Sequence, residues 1–322
     1  MAPDMSSSVH QAVLRREAVD ALAVRPGGVY LDGTLGGGTH SAAILERCRP
    51  GGRIIGVDRD PAALERCRAR LAVPDAAADL VQGDFRTMEA LAAGLGVAAC
   101  DGILLDLGIS SDQLDDPGRG FSFMADGPLD MRMDPTRGPT AAELLNRLDE
   151  AELADLFWRY GEEPDSRKLA RAAVLDRRSA PFARTGAFAE WVSRLKGGRR
   201  GRTHPATQVF QALRIAVNDE LGAAAEGVEA AIRLLKPGGR LAVITFHSLE
   251  DRIVKRLFQR HAGRWENLQA GGRRWDGERP PVRLVGRKPV TASETELSDN
   301  PRARSAKLRT VERVEEEAVW LK

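Results

Sequence analysis

Four apolar runs in this 322-residue chain end on, or close to, an aspartate: "GVYLD" at Asp32, "GRIIGVD" at Asp58, "ADLVQGD" at Asp84 and "CDGILLDLG" at Asp106. The first runs straight into "GTLGGGTH", where Gly33, Gly36, Gly37 and Gly38 fall within six residues. Glycines let a backbone come close to a ligand, and an acid beside such a loop favours a ligand that carries positive charge.

A strand, a glycine-rich turn, a helix and an acid at the next strand end are shared by folds that bind nicotinamide dinucleotides and folds that bind S-adenosylmethionine. The dinucleotide fingerprint G-x-G-x-x-G is not supplied by any register of the four glycines, and Asp32 would repel a pyrophosphate. S-adenosylmethionine carries a sulfonium, an ammonium and no phosphate, so Asp32 and the loop around Gly36 suit it. Asp58 is placed to take both ribose hydroxyls. Phe85 in "GDFR" is placed to pack on adenine, with Asp84 or a backbone group at the adenine edge. Two other readings stand beside this one: a nicotinamide oxidoreductase, which the missing fingerprint disfavours, and ordinary strand-end turns, in which Asp and Gly are common.

These residues need a scaffold. Short β-rich runs alternate with helical patterns, "HSAAILERC" and "PAALERCRARL", which predicts an α/β core with a parallel sheet of βαβ units. A fifth strand, "GRLAVITFHS", follows "AAIRLLKPGG", where Pro237, Gly238 and Gly239 stop a helix. Roughly 130 residues separate Asp106 from Arg240, far more than a crossover connection needs. The excess, about Gln113 to Val217, has apolar residues three and four apart in "TAAELLNRLDEAELADLFWRYG", "DSRKLARAAVLDRR", "GAFAEWVSRLK" and "PATQVFQALRIAVNDEL", so an inserted helical unit is expected. Near the C-terminus, "GGRRWDGERPPVRLVGRKPV" reads as a loop with one strand in it.

Hydrophobic residues make up 43% and charged residues 29% of the chain, a globular composition with enough apolar side chains for a sizeable core. Cys48, Cys67 and Cys100 form no C-x-x-C pair, which argues against a disulfide framework or zinc knuckle. No run has signal-peptide or membrane-spanning character, and a cytoplasmic location with no membrane partner is expected. His10, His40, His204, His247 and His261 lack ligand spacing, so no metal site is expected.

The chain resembles the ribosomal RNA small subunit methyltransferase H (MraW-like) family in "DGTLGGGTHS", "DRDP", "DGILLDLGISSDQLDDPGRGFSFMADGPLDMRMDP", "HPATQVFQALRIAVNDEL", "LKPGGRLAVITFHSLEDRIVK" and "NPRARSAKLR". The resemblance runs from about Val9 to Arg313. It implies a Rossmann-like class I S-adenosylmethionine-dependent methyltransferase core, residues 1–112 and 218–322, with an inserted helical substrate-recognition domain, residues 113–217. It implies methylation of the exocyclic N4 of a cytidine in the decoding region of 16S rRNA, with the small ribosomal subunit as partner. It carries the family's cofactor positions over to Gly38, Thr39, His40, Asp58, Phe85, Asp106 and Gln113. The chain departs from the family in two places: "GGGTH" replaces the usual G-R-G-G-H, and "HQAVLRRE" lacks the proline of H-x-P-V-L-x-x-E.

Methyl transfer is an in-line displacement, so positioning carries much of the catalysis. The lone pair of the cytosine amine is delocalised into the ring, and acceptors must draw its hydrogens out of plane. Strand order in such a sheet places Asp106 beside the first strand's end. Where other amino-group methyltransferases have N-P-P-Y or S-P-P-Y, this chain has "DLGISS", leaving Asp106, Ser110 or a backbone carbonyl as the acceptor. A base inside a helix is out of reach and must be splayed out, and Phe121 and Phe123 in "RGFSFM" are candidates to stack on it or core residues of the insert. His247 and Ser248 are expected to end the fifth strand and either line the substrate pocket or close a turn.

Net charge is only +2, yet Trp191 to Asn218 holds six basic residues and no acid. Arg199, Arg200 and Arg202 are candidate phosphate contacts, which hold RNA without reading its sequence. A non-catalytic RNA-binding module on a methyltransferase-like core is a further alternative, and the insert and C-terminal segment are candidate faces for a homodimer.

Overall fold

A computed structural model of the chain describes residues 12–198, 203–267, 273–276 and 280–314. The chain divides into two compact units, Met1–Gly108 with Ala224–Lys322, and Ile109–Ala223. In chain order the first unit opens with α1 (Arg15–Ala21), β1 (Val29–Asp32), α2 (Thr39–Cys48), β2 (Gly52–Asp58), α3 (Pro61–Leu71), β3 (Ala76–Gln82), α4 (Met88–Gly94) and β4 (Cys100–Asp106). The second unit holds α5 (Ser111–Asp115), α6 (Ala141–Arg147), α7 (Glu150–Gly161), α8 (Ser166–Asp176), α9 (Thr185–Leu195) and α10 (Thr207–Asn218). There follow α11 (Glu220–Leu234), β5 (Leu235–Thr245), α12 (Ser248–Ala262), β6 (Arg264–Asn267), β7 (Arg273–Asp276), β8 (Val282–Leu284), α13 (Glu294–Asp299) and β9 (Lys307–Arg313).

The first unit is built on a seven-stranded sheet of order β3-β2-β1-β4-β5-β9-β8. The five strands from β3 to β5 are parallel, as the βαβ pattern predicts, but β9 pairs antiparallel to β5, and β8 antiparallel to β9. Helices cover both faces, so central strands are apolar throughout: Ile54, Ile55 and Val57 of β2 and Ile103, Leu104 and Leu105 of β4 are buried. One core layer joins β4 and β5 to Val228, Ala231 and Phe258 of α11 and α12. The other joins Leu31's neighbour Tyr30 to Ile44 and Leu45 of α2 and Ala18 and Val19 of α1.

Three sequence expectations shift. Pro237, Gly238 and Gly239 do not lie outside the fifth strand. β5 begins at Leu235, and its pairing with β4 jumps from Cys100–Leu235 to Gly102–Arg240, so the turn residues form a bulge within the strand. "GGRRWDGERPPVRLVGRKPV" contains two strands, β7 paired with β6 and β8 on the edge of the main sheet. "TAAELLNRLDEAELADLFWRYG" breaks into α6 and α7, because Asp149 accepts from the Glu152 amide while the Glu152 carboxylate accepts from the Asp149 amide, a reciprocal cap that starts a new helix.

The expected insert, 113–217, lies inside the second unit. Its core contains Leu145, Leu153, Phe157, Leu169, Phe188, Val209 and Leu213. Asn218 closes α10 by donating to the carbonyls of Met131 and Arg214 and accepting from the Met133 amide.

Candidate functional site

Strand order reverses between β1 and β4, and in an open α/β sheet the crevice at that reversal is where ligands bind. The chain leaves β1 with the Gly33 amide donating to Leu104 of β4, and the Leu35 amide then donates to Val57 of β2. The glycine loop is thus tied to both neighbouring strands. Gly38 caps α2 at φ 70°, and a Cβ there would stand 2.7 Å from Cys67 Sγ, so glycine is needed for both conformation and space. Thr39 is the first residue of α2. Arg70 of α3 hydrogen-bonds to the Gly37 carbonyl and reaches Thr39 Oγ1 at 3.5 Å, so an arginine from the next helix buttresses the loop.

Three carboxylates converge on this edge. Asp32 is buried; it accepts from Ser41 Oγ at 2.6 Å through Oδ2 and from the Thr34 amide at 3.1 Å through Oδ1. Asp58 clamps the loop by accepting from the Gly36 amide at 2.8 Å and from the Asp60 amide at 2.9 Å. The Asp106 amide donates to Thr34 Oγ1, its Oδ2 lies 3.5 Å from His40 Nδ1, and its Oδ1 is buried without a hydrogen-bond partner. Burial raises the pKa of all three, Asp58 to about 6 and Asp106 well above the carboxylate range, with Asp32 and Glu250 adding to the effect on Asp106. Among the described residues none of the three forms an ion pair with Lys or Arg. Ser41 and Thr34 escaped sequence reasoning, since single hydroxyls in a loop and on a helix carry no pattern.

Phe85 follows Asp84 after β3. Asp84 does not sit free to read an adenine edge. It pairs with Arg59 at 2.5 Å and Arg86 at 2.7 Å, accepts from the Arg86 amide, and its pKa is lowered by these bonds against the opposing effect of burial. The Arg59 guanidinium lies 5.8 Å from the Phe85 ring centre. Gly227 in α11 gives the ring its room, a role visible in sequence only as a glycine in mid-helix.

The remaining candidates divide between the units. His247 and Ser248 do not end β5, which stops at Thr245. His247 is the N-cap of α12 and Ser248 its first residue. The His247 ring accepts from the Glu250 amide at 3.4 Å while Glu250 Oε2 accepts from the amides of Phe246 and His247. This reciprocal cap matches the turn-closing alternative. In the second unit, Ser110 and Gln113 form the same type of cap for α5, with Gln113 buried. Phe121 is buried in the helical core, whereas Phe123 is half-buried, its ring 4.6 Å from that of His204 and 4.8 Å from that of Phe210. Arg199, Arg200 and Arg202 lie outside the described residues.

The residues fit S-adenosylmethionine. Three acids without a Lys or Arg partner among the described residues, Asp32 buried, Asp58 and Asp106 half-buried and Asp106 with a buried oxygen that lacks a hydrogen bond, suit a cationic ligand with hydrogen-bond donors.

Comparison with known proteins agrees. A family model described as the MraW methylase family matches residues 7–314. The ribosomal RNA small subunit methyltransferase H of Thermomicrobium roseum is 50% identical over 311 residues, covering 97% of this chain and 95% of that protein. Its namesake from Rhodospirillum centenum is 50% identical over 307 residues, covering 95% and 92%; that from Geobacter sulfurreducens is 49% identical over 307 residues, covering 95% and 99%. With its glycine loop, strand-end acids and sheet order assembled at one edge, this chain belongs to the MraW methylase family.

Proposed function

We propose that the chain transfers a methyl group from S-adenosylmethionine to the exocyclic N4 amine of a cytidine in the decoding region of 16S rRNA in the small ribosomal subunit. The observation that carries this is the trio of carboxylates at the switch point of the sheet, Asp32 buried and Asp58 and Asp106 half-buried, none of which pairs with Lys or Arg among the described residues. The cofactor supplies an electrophilic methyl on a positively charged sulfur.

The protein's part is binding and alignment. The loop from Gly36 to His40 forms the floor, Asp58 takes the ribose hydroxyls, Phe85 packs on adenine, and Asp32 and Asp106 favour the positive charge. Asp106 draws hydrogens of the amine out of the ring plane. In the helical unit, Phe123 is better placed than Phe121 to stack on a splayed base, because Phe121 is spent in the core. The basic run containing Arg199, Arg200 and Arg202 neutralises rRNA phosphates.

Transfer of labelled methyl from S-adenosylmethionine to small subunits lacking the modification, followed by nucleoside analysis, tests this. Labelled N4-methylcytidine is expected. Cofactor binding without transfer would overturn the substrate assignment.

A further inference from the structure

The His40 ring is buried, with one nitrogen hydrogen-bonded and the other close to a carboxylate. Nε2 lies 3.1 Å from the carbonyl oxygen of Val13, at the start of the first unit. A carbonyl oxygen only accepts, so Nε2 carries the hydrogen. In the neutral ring Nδ1 is then a bare lone pair, and it faces Asp106 Oδ2 at 3.5 Å. A lone pair facing a carboxylate oxygen is repulsive unless a proton lies between them. The Val13 carbonyl therefore sets His40 as a partner for a proton on Asp106, not as a bystander of the glycine loop.

We propose that Asp106 Oδ2 and His40 Nδ1 form a one-proton site, which empties when the cationic methyl donor binds and is refilled by the proton that leaves the methylated amine. This rests on the methyl-transfer function above. The charged groups facing the pair are Asp32 on β1 and Glu250 on α12 toward Asp106, and Asp32 and Arg15 of α1 toward His40. The two acids favour a proton on Asp106 as long as no cation is near. Burial acts in the same direction, raising Asp106 and lowering His40. A cation at this edge reverses the preference and leaves Asp106 ionised.

The balance closes. The amine lone pair forms the new nitrogen–carbon bond as the carbon–sulfur bond breaks with its electron pair left on sulfur. Positive charge passes from sulfur to nitrogen. The electrons of one N–H bond return to the amine, and its proton goes to Asp106 Oδ2, shared with His40 Nδ1. The charge that kept Asp106 ionised disappears in the same event, so the acceptor gains affinity for a proton as one is released. His40 acts through Asp106 and is a positioning residue.

Calorimetric titration of the full chain in buffers of different ionisation enthalpy counts protons released on binding. S-adenosylmethionine is expected to release up to about one proton near neutral pH, and neutral S-adenosylhomocysteine close to none. Asp106→Asn should abolish the difference. His40→Gln, whose amide can still donate to Val13, should shrink the difference in proton release and slow single-turnover methyl transfer at saturating cofactor at least about tenfold. Equal proton release by the two ligands in the parent protein overturns the proton site, as does a His40→Gln variant with parental rate and proton count. Failure to bind S-adenosylmethionine at all would instead strike the function on which the proposal rests.

Discussion

A Cβ added to Gly227 would stand 2.3 Å from Cδ2 and Cε2 of Phe85. The ring that follows β3 thus rests against the one residue of α11 that offers no side chain there. Gly227→Ala should push the Phe85 ring aside. Alanine favours a helix by about 1 kcal/mol over glycine, while overpacking costs about 1–3 kcal/mol, so thermal stability should change little. Cofactor affinity should fall about five- to tenfold, the loss of an aromatic contact worth about 1–1.5 kcal/mol. Calorimetry with S-adenosylmethionine checks this, and parental affinity would remove Phe85 from the adenine site.

Much of this edge was legible in the residues themselves. Apolar runs ending on Asp32, Asp58 and Asp106 mark strand ends, because strands buried on both faces cannot admit a charge until they emerge. The insert followed from the length between Asp106 and Arg240. What stayed hidden depends on contacts distant in sequence: the Val13 carbonyl on His40, Ser41 on Asp32, Gly227 under Phe85. One strand was expected in the stretch that holds β8, but its antiparallel place on the sheet edge and the antiparallel β9 were missed, because a strand's direction is set by its connection and not by its composition. His247 was misplaced because a histidine after a strand looks like a strand end until Glu250, three residues on, is seen to complete a helix cap.

If Asp58 takes the ribose hydroxyls as proposed, it should give the cofactor site a pH dependence. Burial raises its pKa to about 6, against the opposing hydrogen bonds from Asp60 and Gly36. A carboxyl raised above its unfolded value contributes stability at low pH and loses it as pH rises through the folded value, so the protein without ligand is helped by Asp58 protonation below about 6. Ribose hydroxyls need the ionised form as acceptor, and so does a cation nearby. S-adenosylmethionine affinity should therefore weaken as pH falls below about 6, by up to about tenfold per unit from this group. Asp58→Asn should bind more weakly at pH 8 and show a flatter profile. An unchanged profile in the variant would assign the pH dependence elsewhere.

The helical unit carries an ion pair that should be costly to break. Glu163 is fully buried, accepts from Lys196 Nζ at 2.6 Å, and also accepts from the Asp165 amide at 3.0 Å. Glu163→Ala leaves a largely buried ammonium without its counter-charge, which costs about 3–5 kcal/mol. Chemical denaturation should show that loss. The double variant Glu163→Leu with Lys196→Met should recover most of it, since apolar pairs often replace buried ion pairs at little cost. A single variant within about 0.5 kcal/mol of the parent would show that the pair is solvated in solution.

The basic run "RLKGGRRGR" is the sharpest test of how RNA is held, because phosphate contacts leave a signature in salt. Each phosphate neutralised on a single strand steepens the fall of log affinity with log salt by about 0.7. Replacing Arg199, Arg200 and Arg202 with Ala should then flatten the slope by about 2 if all three make contacts, and weaken binding about equally for cognate and mutated target sequences. Filter binding of small-subunit rRNA across a salt series measures both quantities. A lost affinity with an unchanged slope would mean that these arginines act through the fold, and an unchanged affinity would take the run out of the interface.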